Sequence, residues 1–119
     1  MPRLSPMTAI ILAVAASGGA LAFAVMPYGG PPDHLQVYAH SGAFFVISFL
    51  LAFGLPRRPW GGLVTAFILG LVIEGAQIFV PGRSASLGDL AANLAGILAG
   101  GLFYGAIKLA AARLRSSSA

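Results

Sequence analysis

Four apolar stretches alternate along the chain with short breaks rich in proline and glycine. They run from about Thr8 to Met26, Leu35 to Leu55, Trp60 to Val80 and Leu87 to Ala110. Each is about 20 residues long, which at a helical rise of about 1.5 Å per residue crosses a hydrocarbon core of about 30 Å. Backbone in lipid must satisfy its own hydrogen bonds, and the apolar–polar alternation of a barrel strand is missing. The pattern therefore predicts an all-α fold, an integral membrane four-helix bundle forming one domain over residues 1–119. Between the stretches, Pro27-Tyr28-Gly29-Gly30-Pro31-Pro32-Asp33, Pro56-Arg57-Arg58-Pro59 and Pro81-Gly82-Arg83-Ser84 read as turns. The closing Ser116-Ser117-Ser118-Ala119 reads as a frayed tail.

Composition sharpens this picture. Of 119 residues, 58% are hydrophobic and only 8% charged, and mean hydropathy is +0.90. A water-soluble domain of this size cannot hide so much apolar surface, so a soluble enzyme and a disordered tail are poor readings. The high pI of about 10.4 reflects 7 basic residues against 3 acidic ones. These are scattered rather than arrayed along a stripe that could follow a phosphate backbone, so no nucleic-acid partner is expected. With no cysteine in the chain, zinc-thiolate sites and thiol nucleophiles are excluded.

Charge also suggests an orientation. Alternating helices put Arg3, Arg57, Arg58, Lys108, Arg113 and Arg115 on one side and Arg83 alone on the other. The positive-inside rule then places both termini in the cytoplasm and the Arg83 turn outside. The first stretch, with Ala20, Ala22 and Ala24 near its end, also resembles a cleavable secretory signal. Its length favours a retained span.

Polar residues inside the apolar stretches carry the candidate chemistry. An ionisable group in a membrane helix costs about 2.5–3.5 kcal/mol on insertion scales and is a functional candidate by default. Gly70, Glu74 and Gln77 fall on one face of the third helix, with Glu74 about six residues from its outer end. Asp89, Asn93, Gly96 and Gly100 form a stripe on the fourth, where the two glycines permit close helix packing. His40 lies about five residues inside the second helix, with Tyr38 above it. Three helices thus carry polar groups at one depth below one surface. Arg83 and Ser84, just before the fourth helix, suit an anion, because Arg binds phosphate bidentately and helix N-termini offer free N–H groups. Phe44, Phe45, Ile78 and Phe79 are expected as apolar walls. Several of these residues also have structural readings: Ser86-x-x-Asp89 matches a capping box, and Gln77 and Asn93 suit interhelical hydrogen bonds. No cofactor and no metal is expected, since His40, Glu74 and Asp89 come from three helices whose convergence the spacing does not establish.

The run EGAQIFVPGRSASLGDLAANLAG resembles the VanZ-like family of small bacterial membrane proteins. The family's Glu-x-x-Gln, aromatic, Pro-Gly-Arg and Asp-x-x-x-Asn-x-x-Gly elements fall on Glu74, Gln77, Phe79, Pro81, Gly82, Arg83, Asp89, Asn93 and Gly96, and its upstream histidine on His40. Gln36 and Val37 stand where relatives often carry an Asp-Lys pair, and Ser41 where an aromatic is usual. The resemblance implies a bacterial inner-membrane protein and a link to glycopeptide resistance. The leading functional expectation is a non-enzymatic protein whose outward-facing pocket binds an anionic lipid or a lipid-linked envelope precursor through His40, Glu74, Gln77, Arg83, Ser84, Asp89 and Asn93. A homo-oligomer or a membrane-protein partner also suits its glycine faces. The alternatives are an intramembrane acid–base enzyme acting on a lipid-linked substrate and a proton-linked transporter using Glu74.

Overall fold

The computed structural model describes residues 4–27, 33–82 and 86–118. Four helices follow in order: α1 (Pro6–Ala24), α2 (Asp33–Gly54), α3 (Pro59–Gln77) and α4 (Leu87–Ser118). All four are long and apolar enough to cross a membrane. The described residues contain no strand. Large apolar side chains face outward on all four helices, among them Ile11, Val46, Ile68 and Leu102, as suits a bundle surrounded by hydrocarbon.

Local sequence sets the helix ends. Ser5 caps α1 by accepting the Thr8 N–H at 3.1 Å, and Pro6 occupies the first turn, where its missing N–H costs nothing. Pro59 plays the same part in α3. The turn after α2 closes through Arg58 N–H to Leu55 O at 3.0 Å. α3 stops at Gln77, three residues before the end of its apolar run. The residue preceding Pro81 is pushed out of helical conformation, so the chain tightens into turns, with Phe79 N–H on Ala76 O and Val80 N–H on Gln77 O. Gly82 then takes φ 76°, the left-handed conformation glycine adopts without strain. α4 runs past Ala110, through the serines expected to fray, to Ser118. Its apolar stretch does end near Ala110, but Ala, Leu and Arg are strong helix formers, and Arg115 complements the dipole in the last turn. α4 therefore projects beyond the bundle, whose longest dimension is 58 Å against 23 Å across.

α2 is the central helix and packs on each of the other three; α1 and α4 do not form a seam. The tightest seam is between α2 and α4. A Cβ on Gly96 would collide with the Ser41 backbone carbonyl, and one on Gly100 would collide with Ser48 Oγ and lie 2.7 Å from Phe45 O. Ser48, fully buried, bonds across this seam to Ile97 O at 3.4 Å. Further along, Phe49 and Phe53 of α2 meet Phe103 and Tyr104 of α4 at centroid separations of 5.4–6.4 Å. The buried residues of α1 are all alanines, Ala9, Ala13 and Ala24, with Leu21 packed against the core beside them. On α3, a Cβ on Gly70 would meet Asn93 Nδ2 at 3.3 Å and the Phe44 ring at 3.5 Å.

Gly96→Ala is expected to destabilise the bundle by about 1–3 kcal/mol, since the obstacle is backbone rather than a side-chain tip. Gly105→Ala, with nothing within 4 Å of the added methyl, should not lower stability. Thermal unfolding of the two variants in one detergent checks the contrast.

Candidate functional site

The four helices alternate in direction, so the ends of α1 and α3 and the beginnings of α2 and α4 share one end of the bundle. At that end the polar residues of α2, α3 and α4 converge. His40 Nδ1 lies 2.8 Å from Asn93 Oδ1, within a hydrogen bond, and 3.5 Å from Glu74 Oε1. On the other side of the ring, His40 Nε2 lies 3.8 Å from Asp89 Oδ2. Asn93 is 1% exposed and Glu74 7%, while His40 and Asp89 are partly buried. The imidazole thus sits among two carboxylates and an amide, at the margin of an apolar bundle.

Ser86 locks the start of α4 into this cluster. Its Oγ accepts the Asp89 N–H at 2.9 Å, the serine half of a capping box. In the reciprocal half, the acid within α4 would accept the serine's own N–H. Here Glu74 of α3 does so instead, its Oε2 accepting Ser86 N–H at 3.3 Å. Asp89 is thereby spared a capping role, and its carboxylate faces His40. The capping-box reading of Asp89 is corrected accordingly: the serine caps, and the acid that answers it comes from another helix.

Gln77 takes a different path. Its Nε2 donates to Ala24 O at 3.4 Å, tying the end of α3 to the end of α1. Beside it opens a cleft between α1, α2 and α3, lined among others by Phe23, Gln36, His40, Phe44, Ile73 and Gln77. His40 is common to the cleft and the cluster. Three buried polar atoms around them lack a hydrogen-bond partner: Glu74 Oε1, Gln77 Oε1 and Asn93 Nδ2. Leaving such an atom unpaired costs about 1–3 kcal/mol each.

Several expectations change at this level. Glu74 lies three residues from the end of α3, not six, because that helix stops at Gln77. His40 lies seven residues inside α2, which begins at Asp33 rather than near Leu35. Phe44 does line the cleft, but Phe45 turns to Phe103 at 5.6 Å. Ile78 and Phe79, 67% and 85% exposed beyond the helix end, form no wall. Arg83 and Ser84 lie outside the described residues. Gln36 was not anticipated as a lining residue. Its position one turn before His40 on α2 is the signal that could have found it.

The architecture defines a multi-pass membrane protein of four spans, with a polar cluster near one end of its bundle. The chain belongs to the VanZ/LLP1 family, whose family model matches residues 2–108. No match was found among curated proteins or among solved structures.

If Ser86 is the cap and Asp89 is not, Ser86→Ala should destabilise the protein by about 1 kcal/mol. Asp89→Asn should cost less, only the modest interaction of an acid with the helix dipole. Denaturation midpoints of the two variants check this order, and a larger loss in Asp89→Asn would contradict it.

Proposed function

We propose that this protein binds an amphiphilic, anionic ligand, a membrane lipid or a lipid-linked envelope component, at the cluster end of the bundle. The observation that carries the reading is the trio of unsatisfied buried atoms, Glu74 Oε1, Gln77 Oε1 and Asn93 Nδ2, around a cleft with apolar walls. Ligand sites combine apolar lining with a few convergent polar groups in this way. The cleft suits the apolar part of such a ligand and the polar cluster its headgroup. Arg83 supplies the attraction for the anion: it stands three residues before Ser86, whose backbone N–H is held by Glu74. With Arg83 the only basic residue in the chain segments at that end, the positive-inside rule favours an external location for the site and a cytoplasmic one for both termini. A bacterial inner membrane is the setting in which these features make sense together.

The position of Glu74 in the last turn of α3 speaks against the transporter reading, in which a proton-carrying site sits near the bilayer midplane. A second reading keeps one specific support. An imidazole between two carboxylates is equipped for acid–base chemistry on a lipid-linked substrate. Turnover of such a substrate, abolished in Glu74→Gln, would favour that reading over simple binding.

The test is a titration of delipidated protein in mild detergent with phosphatidylglycerol and with phosphatidylcholine. The anionic lipid should bind more tightly. Arg83→Ala should weaken its binding about tenfold or more, the worth of one charge-assisted hydrogen bond, with helicity unchanged. Equal affinity for the two lipids, or an unaffected Arg83→Ala variant, overturns the reading. Because the chain has no cysteine, orientation is measured separately. A single cysteine in place of Pro81 should react with an impermeant thiol reagent from outside intact cells, and one in place of Arg57 should not.

A further inference from the structure

We infer that His40, Glu74 and Asp89 form a binding site for one divalent transition-metal ion. The first ground is geometric. Each residue offers one donor atom, and the three donors lie within 4.8 Å of one another, although they come from three helices. Metal–ligand bonds of about 2.0–2.2 Å bring the donors of one ion to roughly 3.5 Å apart.

The second ground is the orientation of the imidazole. His40 Nδ1 lies 2.8 Å from Asn93 Oδ1, and the tautomer with its proton on Nδ1 makes that contact a hydrogen bond. A metal-binding histidine commonly donates its other ring N–H to a neighbouring oxygen in this way, fixing tautomer and ring plane. In that tautomer Nε2 is the free nitrogen, 3.8 Å from Asp89 Oδ2, while Glu74 Oε1 approaches the ring from its Nδ1 edge at 3.5 Å. In a neutral ring that free nitrogen carries a lone pair.

Glu74 provides an independent third ground. Its Oε2 is fixed by the Ser86 N–H, whereas Oε1, on a residue only 7% exposed, has no hydrogen-bond partner. A carboxylate anchored by one oxygen and bare at the other is well prepared to ligate. Charge chemistry points the same way: a cation between two carboxyl side chains at the margin of a bilayer offsets negative charge that lipid does not solvate.

One imidazole nitrogen with two carboxylate oxygens suits Zn²⁺ or Mn²⁺ better than Mg²⁺ or Ca²⁺, which favour all-oxygen shells. Three protein ligands leave a coordination position open. Only the identity of what fills that position, a phosphate oxygen of the bound ligand, rests on the function proposed above; the ion site itself does not.

The test uses full-length protein, stripped with chelator and free of added lipid, dialysed against ZnCl₂ or MnCl₂ alone. Elemental analysis should find one Zn²⁺ or Mn²⁺ per chain, with Mg²⁺ and Ca²⁺ bound at least tenfold more weakly. Glu74→Gln and Asp89→Asn should each weaken binding by tenfold or more, and His34→Ala should leave it unchanged. No stoichiometric binding by the wild type, or undiminished binding by folded Glu74→Gln/Asp89→Asn protein, overturns the inference. X-ray absorption of the Zn²⁺-loaded wild type needs no variant. One imidazole among oxygen ligands supports the site, and an all-oxygen shell refutes it. Lipid titration of the metal-free protein separates the two proposals, since selective lipid binding without metal uptake removes only this one.

Discussion

Glu74 is the residue on which the cluster end of the bundle depends. One of its oxygens accepts the backbone N–H of Ser86, joining the end of α3 to the beginning of α4. The other lies beside the His40 ring of α2. A carboxylate in a membrane helix is costly, and an N–H just ahead of a helix is one of the donors that lipid cannot satisfy. Placing the two together answers both difficulties at once. Glu74 also takes the place of Asp89 in the capping box, and the Asp89 carboxylate faces the imidazole at 3.8 Å.

This arrangement needs α2 and α4 to run closer than ordinary side chains allow. Gly96 and Gly100 provide the approach, with Ser41 and Phe45 carbonyls where their side chains would be. Asn93 stands one turn before Gly96 on the same stripe, and the closeness of that seam lets its short side chain reach His40. Packing and chemistry are therefore one feature: the glycines that make the seam dry also set the distance at which histidine, amide and acids meet. The aromatic contacts of Phe49, Phe53, Phe103 and Tyr104 fix the same two helices further from the cluster, so the geometry at His40 is braced from beyond its own end.

Much of this was legible in the sequence, for definite reasons. Hydropathy located four spans because lipid punishes any other backbone arrangement. Helical spacing grouped Asp89 with Asn93, Gly96 and Gly100 because a stripe is a property of one helix. What spacing could not reveal was any relation between helices. Glu74 and Gln77 share a face of α3, yet three residues turn the helix by about 60° short of a full circle. That turn is enough to send Glu74 to α4 and Gln77 to α1. The helix ends were misread where two signals disagree. Apolarity continues to Val80, but Pro81 stops the helix at Gln77; apolarity fades at Ala110, but helix propensity carries α4 to Ser118. Ile78 and Phe79 were misplaced for the same cause, since residues beyond a helix end do not keep its facing.

The partition between Glu74 and Gln77 divides the labour at this end of the protein. On one side of His40 lies a charged cluster that holds little apolar surface. On the other lies a cleft whose walls are Phe23, Phe44 and Ile73 and whose polar edge is Gln36 and Gln77. A molecule with a charged head and an apolar body has use for both, and His40, common to the two, is where its parts would join. Neither half is a complete site alone: a cleft without charge would not discriminate among lipids, and a cluster without a cleft would hold an ion but no chain. Their adjacency follows from α2 packing on every other helix, so that His40 borders the cleft beside α1 and α3 and the cluster beside α3 and α4. The placement of the histidine on α2 thus joins the two halves, and the functional reading stands on that placement.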